Sequence, residues 1–167
     1  SVAENSKLPA SIAEQLATDK NKDVRAKVAG NANTPAFLLE KLAKDKLKGV
    51  RANVARNPNT PSSLLMRLAE DAEMEVLEIV AEHPNTPPSV LEALAHEGQS
   101  ESVLAAVLTN PSCTQALAEG IWPNLLDSRR GKWYSEQLSK ASPEVRQAVE
   151  RDDLLYYGGN DPNKAVL

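Results

Sequence analysis

The chain has little of what usually carries chemistry or staples a small domain. It has one cysteine, Cys113, in 167 residues, which excludes a disulfide framework and a cysteine-built metal or cluster site. Histidine is limited to His83 and His96, 13 positions apart with no acidic cluster at ligand spacing, so no metal is expected. No run reaches the ~18 apolar residues of a membrane span and no signal peptide opens the chain, so no membrane partner is expected and the expected compartment is the cytoplasm. Positive charge is not in excess: 19 basic residues face 23 acidic ones, a formal net charge of −4. That balance excludes a protein that coats nucleic acid through bulk electrostatics. Aromatics are one Phe, two Trp and three Tyr, and all but Phe37 lie between positions 122 and 157. Without a Gly-rich strand–turn–helix, or a Ser or Cys in a nucleophile setting, no catalytic residue and no cofactor are assigned, and the chain is not expected to be an enzyme.

What the chain does have is repetition, which decides the fold before anything else. VRAKVAGNANTPAFLLEKLAKD from Val24, VRANVARNPNTPSSLLMRLAED from Val50 and VLEIVAEHPNTPPSVLEALAHE from Val76 align without gaps at a period of 26 residues. Pro9 extends the series of Pro35, Pro61 and Pro87 toward the N-terminus, and VLAAVLTNPSCTQALAEGI from Val103 continues it after one inserted residue.

Each unit reads as two helical pieces. In Asn57-Pro58-Asn59-Thr60-Pro61, Thr60 is a good N-cap and Pro61 suits the first helical position, while Pro58 and Asn59 favour a turn. Leu64, Leu65, Leu68 and Ala69 then form an apolar stripe on a helix of about ten to twelve residues. Val50, Val54 and Ala55 form a shorter stripe on a second piece before the turn. Neither piece can bury its stripe alone, but stacked copies can, so the expected fold is an all-α solenoid.

The pattern V-R-x-x-V-A-x-N-P-N-T-P-x-x-L-L-x-x-L-A-x-D resembles the leucine-rich repeat variant family of bacteria. The resemblance covers Val2 to about Ile121 and is best over residues 24–97. It implies a right-handed superhelix pairing an α-helix with a shorter, 3₁₀-like helix, and a general role as a scaffold for partners. Some members carry an iron–sulfur cluster on a separate cysteine-rich segment. Nothing here matches that segment, because Cys113 stands alone where other units have Thr60 or Thr86.

The register is 2–23, 24–49, 50–75, 76–102 and 103–121. An irregular insertion is expected over 122–141 and a diverged repeat over 142–167, with Ser142 as N-cap and Pro143 opening a helix. The whole is read as one continuous domain. The chain lacks an initiator Met, starts inside a unit at Val2 and stops as another helix should begin at Lys164. It is therefore expected to be a fragment, or to associate with itself through exposed repeat ends.

Function is expected to be partner binding, most simply of another protein. Trp133, Tyr134, Tyr156 and Tyr157 with Arg129 and Arg130 are candidate contacts, since Tyr and Trp give large contact area with few rotors; the competing role for the aromatics is to cap the last repeat. Met66, Leu77 and Ile79 are apolar where equivalent residues are polar, which marks a candidate patch on the middle repeats. Nucleic acid is the alternative partner: residues 20–67 are locally basic and 69–101 acidic, and Arg25, Lys27, Arg51 and Arg56 are its candidate contacts. An accessory domain of a larger redox or enzymatic protein is a third reading. Arg25 and Arg51 also have a structural role available, pairing with the acid that ends the preceding helix, Asp19 and Asp45, six residues before each. The Asn series, with His83 in place of one member, reads as turn chemistry.

Overall fold

Four prolines at equal spacing set where the chain enters its shorter helices. In the computed structural model, which describes residues 8–96, 99–126 and 139–148, Pro9, Pro35, Pro61 and Pro87 stand directly before α1 (Ala10–Leu16), α3 (Ala36–Leu42), α5 (Ser62–Leu68) and α7 (Pro88–Leu94). Nine-residue helices alternate with them: α2 (Lys22–Gly30), α4 (Lys48–Arg56), α6 (Met74–Glu82) and α8 (Glu101–Thr109). A longer helix, α9 (Gln115–Leu126), follows. Among the described residues there is no strand, and no helix is long and apolar enough to cross a membrane.

The long helices stack in series, α2 on α4, α4 on α6 and α6 on α8, and α3, α5 and α7 each lean on the long helices before and after them. Contacts that run only between neighbours define a helical-repeat solenoid. Its core is the repeated stripe. In one unit Val50, Ala52, Val54, Ala55, Leu64, Leu65 and Leu68 are all at most 3% exposed, and Val76, Val80, Ala81, Val90, Leu91 and Leu94 repeat the arrangement in the next. Each buried Leu contributes roughly 1.5–3 kcal/mol of transfer free energy, available only once the neighbouring unit is in place.

Two local expectations are corrected. The helix after each proline has seven residues rather than ten to twelve, and the longer piece is the one before the turn. Ala69 N–H still closes an α-type bond to Leu65, but Glu70 and Asp71 bond back to Arg67 and Leu68, three residues earlier. That 3₁₀ tightening ends the α-helix, and because the apolar spacing continues through Ala69, the stripe outlasts the helix.

The threonine before each proline is not a helix cap. Thr34, Thr60 and Thr86 are buried, and their hydroxyls donate to the carbonyls of Val28, Val54 and Val80 at 2.5–2.6 Å. Those carbonyls lie in the last turn of the preceding long helix, where intrahelical donors run out. The hydroxyl therefore closes the helix behind it rather than opening the one ahead.

Further along, α9 runs through Leu126, so the start of the segment read as irregular, 122–126, is helical. Residues 143–148 are helical as the Ser142-Pro143 signal predicts, with Val145 N–H donating to Ser142 Oγ at 3.3 Å. Ala141 and Val145 join the common core.

Candidate binding surface

The joints between units decide which polar groups are left to meet a partner. Arg25 does not pair with the Asp19 carboxylate. Its Nε and Nη2 donate to Asp45, at the far end of the same unit on the approach to α4, at 2.6 and 3.2 Å, and it touches Asp19 only through Nη1 to the backbone carbonyl at 2.8 Å. Arg51 repeats this, with Nε and Nη2 on Asp71 at 2.5 and 2.9 Å and Nη1 on the Asp45 carbonyl at 2.9 Å. The fork of the guanidinium thus spans a joint, holding a carboxylate of its own unit, on the approach to the next long helix, and a carbonyl of the unit before. The same carboxylates accept Leu47 N–H and Glu73 N–H at 3.0 Å, which fixes the approach to α4 and α6. Bonding to the guanidinium holds the Asp45 and Asp71 carboxyls below the usual carboxylate range, against the opposing effect of burial.

A second set of joints runs through the turns. Asn57 is 1% exposed and its amide donates to the carbonyls of Ala29 and Asn31 in the preceding unit at 2.7 and 2.8 Å, while its Oδ1 accepts Asn59 N–H. Asn110 makes the same pair of bonds to Ala81 and His83 at 2.6 and 3.0 Å. His83 takes the intermediate place. Its Nδ1 accepts Asn85 N–H at 3.1 Å, so the ring proton sits on Nε2 and is donated to the Asn57 carbonyl at 3.0 Å. The Asn positions are therefore turn residues that also stitch each turn to the one before it. The sequence shows the first role but not the second.

With the joints accounted for, the solvent-exposed positions of α2, α4 and α6 remain, whereas residues 103–108 of α8 are buried. Equivalent positions vary there: Lys22 and Lys48 give way to Met74 and then to the half-buried Glu101 in one row, and Gly30, Arg56, Glu82 and the half-buried Thr109 differ in another. Between α2 and α4 the face holds a shallow cavity of about 290 Å³ lined by Lys22, Ala26, Lys48, Gly49 and Asn53 among others. Lys48 spans to Glu73 and Glu75 at 3.6 Å each, all three half-exposed. Burial and then the Glu78 carboxylate push the Glu82 carboxyl up, with Arg56 opposing them. The opposite side, on the short helices, exposes Phe37 and Met66 at 54% and 52%. Phe37 stands beside a cavity of about 600 Å³ lined also by Glu14, Thr18 and Lys41.

The residues singled out from sequence fall into three groups. Arg25 and Arg51 are joint residues, and Lys27 and Arg56 are exposed on the long-helix face. Met66 is exposed, but Ile79 is 7% exposed and Leu77 8%, both part of the core. The apolar patch expected from Met66 with Ile79 and Leu77 is thus corrected: α6 is covered on its two sides by α4 and α8, which bury the latter two. Arg129, Arg130, Trp133, Tyr134, Tyr156 and Tyr157 lie outside the described residues, as do both chain ends. Among the described residues, no three of His, Cys, Asp and Glu converge to hold a metal ion. Burial pushes the lone Cys113 thiol up to about 11.

Stacked two-helix units joined side chain to backbone place the protein in the class of helical-repeat scaffolds. The model of the leucine rich repeat variant family matches residues 49–73 and 74–97, two adjacent repeats centred on the units of Pro61 and Pro87. No curated protein and no solved structure matches the chain.

Proposed function

We propose that this chain is a non-enzymatic scaffold that binds another protein along the outer face of its stacked long helices. One observation carries the reading: the array repeats its core and its joints but varies its face. Val, Leu, Asn and Thr recur at most buried positions, whereas the exposed row at Gly30, Arg56 and Glu82 changes residue at every step. An extended surface of fixed geometry and variable chemistry is what a repeat array offers a macromolecular partner.

The engagement of Arg25 and Arg51 with Asp45 and Asp71 weakens the nucleic-acid alternative, because the two guanidinium groups best suited to phosphate are held by carboxylates of their own chain. Affinity capture with the immobilised chain tests the reading. A specific protein should be retained, and should be lost when Lys22, Lys48 and Glu82 are charge-reversed together while Phe37→Ser leaves capture intact. Capture unaffected by the face substitutions overturns the assignment of the face. Nucleic acid bound at low salt and released steeply as salt rises favours the alternative.

A further inference from the structure

The arginine of the joints recurs once more, in the helix over 143–148. Arg146 stands four residues after Ser142, as Arg25 stands four after Asn21 and Arg51 four after Leu47, and each donates its backbone N–H to that residue's carbonyl, at 2.9 Å for Arg146 and 3.3 Å for the other two. Val145 is 1% exposed before it, as Val50 is 2% exposed before Arg51. The surroundings of the guanidinium then differ. Arg25 and Arg51 each donate Nε to an aspartate twenty residues on, whereas twenty residues after Arg146 stands Val166. Among the described residues, Arg146 Nε is the one buried side-chain polar atom without a hydrogen-bond acceptor. We propose that Arg146 is a binding site for a carboxylate brought by another molecule, the Asp or Glu side chain of a protein partner, which takes the place that Asp45 takes on Arg25.

The ligand class follows from the donor. Nε and one Nη of a guanidinium point in parallel and match the two oxygens of a carboxylate, and both filled copies of this position hold one. A buried charged donor without an acceptor is costly, and folded chains leave few of them. The core does not require the charge: Leu77 and Leu104 stand at the equivalent place in the intervening units, buried at 8% and 5%. Beside Arg146 opens a cavity of about 440 Å³, lined by Pro143, Glu144 and Gln147, so an incoming side chain has room to approach.

Glu144 does not fill the fork. Its carboxylate is engaged by its own backbone N–H and the Ser142 hydroxyl, which hold it below the usual range. Its charge on the rim disfavours a polyanion such as nucleic acid and leaves a single carboxylate as the fitting ligand. The acids that follow, Glu150, Asp152, Asp153 and Asp161, lie outside the described residues, and they come 4, 6, 7 and 15 residues after Arg146 rather than twenty. The site lies at the end of the described array and does not depend on the outer face binding a partner.

Arginine Nε–H groups give separate signals in 1H–15N correlation spectra of the whole chain, and comparison with Arg146→Leu assigns the one of interest. Circular dichroism of that variant should be unchanged, since leucine already occupies the equivalent place twice. Titration with N-acetyl-aspartate N-methylamide should move the Arg146 signal saturably and leave those of Arg25 and Arg51 where they are. The asparagine counterpart should move nothing, and about 1 M salt, where the screening length is about 3 Å, should weaken the aspartate response at least about threefold. An Arg146 signal that stays still up to the solubility of the probe overturns the proposal, as does an equal response to the asparagine probe or a stronger one to inorganic phosphate. So does an Nε–H that is protected from exchange before any probe is added and loses protection on Glu150→Gln, Asp152→Asn, Asp153→Asn or Asp161→Asn, because an acid of the chain itself then fills the fork.

Discussion

Replacing Arg51 with Leu removes one joint of the array and leaves its core intact, since the next unit carries Leu77 at the equivalent position, buried at 8%. The substitution deletes two charge-assisted hydrogen bonds to Asp71 and one to the Asp45 carbonyl. The Arg51 and Asp71 side chains are 16% and 7% exposed, outside the regime of exposed surface pairs, which are worth about 0–1 kcal/mol. Leaving one member of a buried pair without its partner costs about 3–5 kcal/mol, and the residual exposure of Arg51 puts this joint at the lower end, about 3 kcal/mol. At roughly 2–4 °C per kcal/mol for a chain of this size, the midpoint should fall by about 6–12 °C. Urea unfolding followed at 222 nm, with the double-mutant cycle Arg51→Leu and Asp71→Asn, gives the coupling. It should be about 2 kcal/mol, and the corresponding cycle with Asp45→Asn should be near zero, because Arg51 bonds only the backbone of Asp45. A coupling to Asp71 below about 0.5 kcal/mol, or one no larger than that to Asp45, would refute the pairing of each arginine with the acid twenty residues on.

Three further outcomes follow from the same geometry. Asp45 and Asp71 have carboxyls depressed below the unfolded value of about 3.9, so their stabilisation is complete above that value and is lost as pH falls through the lower, folded one; the Arg51–Asp71 coupling should be unchanged from pH 7 to about 5 and fade below about 4, and a coupling that instead grows on acidification contradicts the pairing. His83→Asn restores the residue found at Asn57 and Asn110 and lets the amide reach a second carbonyl, that of Ala55, so the chain should gain about 1 kcal/mol; a lower midpoint would show that the histidine is fitted to this turn. Cys113, whose thiol burial pushes up from the ordinary 9.0 to about 11, should hold about a hundredfold less thiolate at pH 8 than it does unfolded, and equal rates with Ellman's reagent in buffer and in urea would disprove that environment.

How far the sequence speaks depends on whether a residue's partner is local. The solenoid, its period and its core stripe were legible because Val, Ala and Leu recur at helical spacing and copies can hide them only against one another. The Ser142 cap was legible for the same reason, since an N-cap acts on amides two or three residues ahead. Thr60 was misread because its position before Pro61 satisfies the cap rule, while its hydroxyl turns to a carbonyl six residues behind. Arg51 was assigned to Asp45 because six residues separate them; the carboxylate it holds is twenty residues on, a distance that only the stacking of units makes short. Ile79 shows the limit from the other side. Its equivalents Lys27 and Asn53 are polar, so it reads as exposed, yet the flanking long helices cover it.

These misreadings share a cause that bears on function. The turn joints end on backbone carbonyls: Asn57 on Ala29 and Asn31, Asn110 on Ala81 and His83, His83 on Asn57. A carbonyl is present whatever the side chain, so a unit can change its exposed residues without losing its grip on the unit before it. The Arg–Asp joints are the exception, needing a particular residue at both ends. They occur at two successive joints, Arg25 to Asp45 and Arg51 to Asp71, and give way at Leu77, the start of the unit where the outer face turns acidic. Placing an arginine there with Leu77→Arg therefore changes that one joint and the core position of Leu77, while leaving the joints that end on carbonyls as they are.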